Sequence, residues 1–253
     1  MIEAWGPLTL AVVAICVLLY GFSKTAMPVA GVVAGPFLAA ALGATTASGF
    51  VMPLLLIGDL IALSRYRQHV NWRLIWRIAP GVIIGILFTA LLFRVAEVTT
   101  LNRVIGVLIL LSVALEMWRR RRPVETGEPP TPTWRNRALS GFFGILTGMT
   151  TMAANAGGTA MTLYLVNMRV SMLAFMGTSV WFFLFMNLLK MPFLIGLGFL
   201  TTDTLIADLF FLPLIGIGAW LGVVVFDRMN ERVFTLSALV LSAAGAMWLI
   251  IHG

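Results

Sequence analysis

Cysteine, histidine, lysine and charge in general are scarce in this chain. Of 253 residues one is cysteine and two are histidine. A single cysteine, Cys16, excludes a disulfide within the chain and a cysteine-built metal cluster. The histidines, His69 in a basic stretch and His252 beside the C-terminus, form no His-Glu-x-x-His set. There is also no Walker phosphate loop and no Gly-x-Ser-x-Gly elbow. No enzyme, metal or cofactor is expected, and any transport must be driven by a gradient or be passive rather than run on a nucleotide. Charged residues make up 11%, against about 25% in a soluble domain. Most of the chain is therefore expected in lipid.

What is abundant agrees. The chain is 60% hydrophobic with a mean hydropathy of +1.00. Its apolar runs are continuous rather than alternating, which indicates a helical bundle and not a β-barrel. A crossing helix needs about 20 residues. The expected fold is thus an all-α integral membrane protein with about eight crossings and some broken or re-entrant helices. Apolar segments run approximately over 8–22, 25–44, 49–63, 78–93 and 101–118. They resume over 138–152, 156–168, 170–189, 191–200, 205–226 and 233–251. The first resembles an uncleaved signal anchor, since no basic stretch precedes it.

Net charge is +7, but nucleic acid is not the expected partner. The basic residues gather in two short stretches, Arg65 to Arg77 and Arg119 to Arg137. Two apolar segments separate them, so both fall on one face of a membrane, read as cytoplasmic by the positive-inside pattern. Tryptophans within them suit the lipid interface. Residues 119–137 also hold Pro129, Pro130 and Pro132 and form the clear linker. Multi-pass insertion in the plasma (cell inner) membrane is expected, and a homodimer is compatible with it.

The two sides of that linker repeat each other. At an offset of 133, Pro80, Ile84, Gly85 and Phe93 fall on Pro213, Ile217, Gly218 and Phe226. At 131, Ser48 falls on Ser179 and Asp59 on Lys190. At 127, Gly21 falls on Gly148 and Gly31 on Gly158. A drifting offset is what a duplication with small loop insertions leaves. The expected organisation is a first membrane repeat over 1–118, the linker 119–137, and a second repeat over 138–253. Four crossings per half make the repeats parallel and put the loop 227–232 outside. Five make them inverted and put it inside. Duplicated apolar halves are the usual build of secondary transporters.

Two segments at matching places are too broken for simple spans. One is Lys24-Thr25-Ala26-Met27-Pro28 through Gly31, Pro36 and Gly43. The other is Gly148 through Thr151, Asn155, Gly157, Gly158 and Thr159. Broken helices at membrane depth free backbone donors and mark binding sites. The Gly-x-x-x-Gly pairs 81/85, 144/148 and 218/222 read instead as close helix crossings. Both lysines, Lys24 and Lys190, adjoin apolar segments, and Asn187 shares a helix face with Lys190. A lysine at a helix centre costs about 2.5–3.5 kcal/mol and needs a partner, water or an anion. Snorkelling to the interface is the alternative. Pro192 is expected to break the helix just beyond Lys190. Asp59 is either a proton-coupling carboxyl or the partner of an arginine such as Arg65 or Arg67. Ser48, Thr178 and Ser179 offer hydroxyl donors, or bond their own helix backbone.

The segments 53–59, 65–72, Pro80-Gly81 and Gly85, with 148–158, Tyr164-Leu165, 177–179, Phe183, 187–192 and Pro213, resemble the TauE/SafE family, also called sulfite exporters. The likeness spans nearly the whole chain in order. It implies a polytopic inner-membrane carrier with two homologous halves, moving sulfite, sulfonates or related small anions. One departure stands out. Where the family's first half often carries a glycine-rich stretch, this chain reads Lys24-Thr25-Ala26-Met27-Pro28.

The expectation is a secondary carrier for a small anion, sulfite or a short organosulfonate, with alternating access and proton coupling. The substrate is expected between the broken segments. Its expected contacts are Lys24, Thr25, Ser48, Asn155, Gly157, Gly158, Thr159, Thr178, Ser179, Asn187 and Lys190. Asp59 is the expected proton carrier. A passive anion channel and a non-transporting membrane scaffold are the alternatives.

Overall fold

Proline and glycine set where the helices begin and stop. The computed structural model describes residues 5–92, 103, 106–111, 113–114, 117, 134–154, 157–196 and 198–252. Helix α1, Pro7–Thr25, starts on a proline, whose fixed φ and missing N–H suit a first turn. Pro28 ends its path, because the residue before a proline is pushed out of the helical region. Met27 is extended, with φ −165° and ψ 112°. A tight 3₁₀ turn, Pro28–Val33, and a short helix α2, Ala34–Leu42, follow. Gly43, at φ +82°, reverses the chain as only glycine does without strain. Then come α3, Ala44–Tyr66, and α4, Trp72–Leu92.

Past the linker are α5, Trp134–Ala154; α6, Gly157–Asn167; α7, Met172–Gly196; α8, Thr202–Arg228; and α9, Glu231–His252. The first segment expected to be broken is broken, at 26–33; the break expected in the second, around Asn155, lies outside the described residues. One expectation is corrected. Pro192 does not end its helix, because α7 runs through it to Gly196. In an apolar helix the freed carbonyl can be satisfied locally or by neighbours, so an interior proline is tolerated. Pro53, Pro80 and Pro213 are likewise interior. Among the described residues no strand occurs. Among the described residues, five helices are long and apolar enough to cross a membrane: Pro7–Thr25, Thr45–His69, Trp72–Thr89, Met172–Gly196 and Thr202–Arg228. Residues 119–133 of the linker lie outside the described residues, and the 101–118 segment is described only in pieces.

The chain forms two compact units that cut across the sequence halves: 1–70 with 176–229, and 71–175 with 230–253. In unit 1, α1 and α8 run parallel. Gly218 meets Leu18, and Gly222 meets Phe22 and Ala26. Residues 28–42 return along α1, with Gly31 against Ser23 and Cys16 bonded to the Ala34 carbonyl. At one end Trp5, Phe50 and Phe211 form an aromatic cluster. At the other, Tyr66 meets Phe226, and Arg65 pairs with Asp227 at 2.6 Å. Loop 227–232 therefore starts at the end of unit 1 where the basic stretch 65–77 starts.

In unit 2, α4 packs on α5 through glycines. Gly81 sits against Gly141 and Gly144, Gly85 against Ile145, and Gly148 against Val82. Tyr164 of α6 donates to the Leu74 carbonyl at 3.1 Å. Gly106 packs on Ala246 and Ile250 of α9.

The two glycine crossings use equivalent residues. In unit 1, Gly21 abuts the Ile215 carbonyl and Ala219 N, and Gly218 abuts the Leu18 carbonyl. In unit 2, Gly148 abuts the Val82 carbonyl and Ile86 N, and Gly85 abuts the Ile145 carbonyl. The second set is the first with 127 added to or 133 subtracted from each number. Ser23 bonds the Tyr20 carbonyl, and its counterpart Thr150 bonds the Thr147 carbonyl.

Candidate functional site

Two buried charges and an amide meet in the middle of unit 1. Lys24 ends α1, Asp59 lies on α3 and Asn187 on α7. Lys24 Nζ donates to Asp59 Oδ1 at 2.6 Å, and Asn187 Nδ2 donates to Oδ2 at 2.7 Å. Asp59 is fully buried, Lys24 8% exposed and Asn187 6% exposed. The Lys24 ammonium also stands over the Phe183 ring, 5.5 Å from its centroid, a favourable cation–π placement. Lys190 is half-buried one turn beyond Asn187 on α7.

Gly58 lets this assembly close. A Cβ there would meet Lys24 Cγ at 3.0 Å and Ile215 Cγ1 at 3.7 Å. Ile215 is the midpoint of α8, Thr202–Arg228. The cluster thus sits half-way along a membrane-length helix, the depth at which carriers hold substrate.

Asp59 does not pair with an arginine of the loop. Arg65 lies six residues on, about 9 Å along the helix, and it binds Asp227 instead. Thr25 is fully buried and its hydroxyl donates to the Ala219 carbonyl at 2.6 Å. It ties α1 to α8. Its own carbonyl accepts from Tyr66 at 2.8 Å, so this helix end is held by side chains on two sides.

The structure therefore brings together Lys24, Asp59, Asn187 and Lys190, and separates the hydroxyls from them. Thr178 and Ser179 are buried beside Gly177, which packs on Tyr66 and His69. They lie at least eight residues from Asn187, about 12 Å along α7. Ser48 is eleven residues from Asp59, about 16 Å along α3, next to Gly49, which abuts Phe199. Spacing in sequence could not reveal this, because α3 and α7 run antiparallel and send matching serines to opposite ends.

Unit 2 carries a different element. Gly157, Gly158 and Thr159 open α6 and are buried. Gly157 lies against Thr151 and near the Thr147 carbonyl. The hydroxyls of Thr159 and Thr162 have no hydrogen-bond partner among the described residues. A helix N-terminus of this kind presents N–H groups and a positive dipole end to an anion. Asn155 lies outside the described residues. Sequence reasoning missed Asp208, a buried acid of α8, whose only signal was a lone carboxylate within an apolar run.

Long apolar helices that carry a charged cluster at mid-length are those of a multi-pass membrane protein. The family model described as "Sulfite exporter TauE/SafE" matches residues 13–249. The chain belongs to that family, and with it to a class of membrane transporters of sulfur anions rather than of enzymes. No curated protein and no solved structure matches the chain.

Proposed function

We propose that the protein is a secondary carrier for a small anion, sulfite or a short organosulfonate. The observation that carries this reading is the mid-depth cluster of Lys24, Asp59 and Asn187 with Lys190 beside it. Lys24 and Asp59 pair there, and Lys190 lies one turn beyond Asn187. Each charge is costly at membrane depth, and an ammonium at that depth is a natural contact for a bound oxyanion. The Lys24 ammonium has two donors beyond its bond to Asp59.

Asp59 then couples proton and anion. A proton taken by Asp59 breaks its ion pair and turns Lys24 toward the substrate. Proton and anion enter together, so the net charge of the cluster stays constant. Backbone donors at Gly157–Thr159 supply a second anion-binding element. Alternating access between the two repeats, 1–118 and 138–253, completes the cycle. The equivalent glycine contacts support that duplication. The loops 65–77 and 119–137 face the cytoplasm of the plasma membrane, as the positive-inside pattern indicates.

The test is uptake of labelled sulfite and of a short sulfonate into proteoliposomes, with and without a pH gradient. Saturable, gradient-sensitive uptake with exchange of labelled for unlabelled anion is expected. Flux without exchange would indicate a channel. No flux of either anion through folded protein would remove the sulfur-anion assignment. Lys190→Ala is expected to abolish or severely weaken uptake while membrane insertion is unchanged. Normal flux and affinity in that variant would reject its role.

A further inference from the structure

The cluster at Asp59 does not use every acid buried in unit 1. Asp208 on α8 is 4% exposed, and neither of its carboxyl oxygens has a hydrogen-bond partner among the described residues. It shares a buried helix face with Thr204, Ala207, Phe211 and Ile215. Ala207, Phe211 and Ile215 belong to an apolar cluster with Val13 and Phe50. A carboxyl adds nothing to such packing, and an isolated charge there is strongly disfavoured. Its presence calls for an occupant that removes the charge.

A metal ion would need several oxygen ligands. Among the described residues no three acidic, histidine or cysteine side chains gather. The nearby Thr204 hydroxyl is engaged at the helix cap, donating to the Thr201 carbonyl at 2.7 Å. A proton needs no ligand set.

Position matters as well. Asp208 precedes Ile215 by seven residues, about 10 Å along α8. Ile215 marks the level of Lys24 and Asp59. Asp208 therefore lies between that level and the end of unit 1 remote from Arg65–Asp227. Among the described residues, α1 and α3 are the main elements packed on α8. Their buried titratable groups are Cys16, Tyr20 and Lys24 on α1, and Asp59 and Tyr66 on α3. Lys24 and Asp59 bind each other, and Tyr66 binds Thr25 at the far end. α8 itself adds Asp203 in its first turn, and Asp227 and Arg228 in its last.

We propose that Asp208 is a second proton site, which loads the coupling proton from the end of unit 1 opposite the basic loop. One proton bonds to one carboxyl oxygen, the carboxylate becomes a neutral acid, and the proton later leaves from the same oxygen. The coupling role rests on the carrier reading above. The site's location links that face of the membrane to Asp59.

Asp208→Asn mimics the loaded, neutral form. In proteoliposomes this variant is expected to keep exchange of labelled sulfite at equal pH and to lose accumulation driven by a pH gradient. Asp208→Glu is expected to keep both. Loss of exchange as well as accumulation in folded Asp208→Asn would overturn the proposal in favour of a structural role, and so would retention of both. Infrared titration provides a readout free of substrate. Wild type is expected to show a carboxylic-acid carbonyl band, shifted in deuterium oxide, that Asp208→Asn lacks. If the band is unchanged in Asp208→Asn, or in Asp208→Glu should the first variant misfold, the proposal fails. Absence of sulfite exchange in wild type would instead sink the carrier reading, and the band would still decide whether Asp208 binds a proton.

Discussion

The α1–α8 crossing of unit 1 and the α4–α5 crossing of unit 2 are built alike and endowed differently. Gly21 and Gly218 in one, and Gly148 and Gly85 in the other, let backbones touch at equivalent carbonyls. Beyond the shared contact the two diverge. Three residues after Gly21 comes Lys24, salt-bridged to Asp59. Three residues after Gly148 comes Thr151, a neutral residue against the first turn of α6. Contact through glycine is thus a framework that tolerates either ending, and the charge is an addition to one of them. A membrane helix pair gains nothing from hydrophobic association, so close backbone packing has to supply the attraction.

The sharpest way to break the likeness is at the glycines. Gly21→Leu and Gly148→Leu each drive a side chain into a neighbouring backbone, which cannot repack as a side chain does. Both variants are expected to lose folded, monodisperse protein after detergent extraction, at a cost above the usual overpacking range of about 1–3 kcal/mol. If one tolerates leucine and the other does not, the crossings are not equivalent.

Next comes the charged ending. Lys24→Ala strands Asp59, and removing one member of a buried pair costs about 3–5 kcal/mol. Lys24→Met with Asp59→Leu is expected to recover most of that stability in thermal unfolding while transport stays lost. Thr151→Ala in unit 2 is expected to cost about 1 kcal/mol. Equal destabilisation by Lys24→Ala and Thr151→Ala would remove the distinction drawn between the two endings.

The smallest effect is expected at the rim. Arg65 and Asp227 are 45% and 48% exposed along their side chains. Arg65→Ala is expected to cost about 0–1 kcal/mol, with a melting temperature that loses its salt dependence at this site. A loss as large as that of Lys24→Ala would make the rim pair a structural lock.

The residues of the cluster were legible because each is costly in lipid. Lys24, Asp59, Asn187 and Lys190 stand out of apolar runs before any fold is known. Their partners were not legible. Asp59 had arginines nearer in sequence, yet its partners come from 35 and 128 residues away. Thr25 read as a substrate ligand, and its tie between α1 and α8 had no signal in sequence. Pro192 read as a helix end and is interior to α7. Asp208 drew no notice, since an isolated acid in an apolar run does not announce whether a partner awaits it.

Composition and periodicity determined the class of this protein. Long apolar runs with few charges allow only helices in a bilayer, because every backbone donor must be satisfied within its own segment. Proline likewise marked the broken segment at 26–33, since it acts on the local backbone. Only tertiary structure decided which charges meet. Pairing depends on helix direction and on how closely glycines let the helices approach. The antiparallel course of α3 and α7 sent Ser48 and Ser179 apart while bringing Asp59 and Asn187 together at mid-depth.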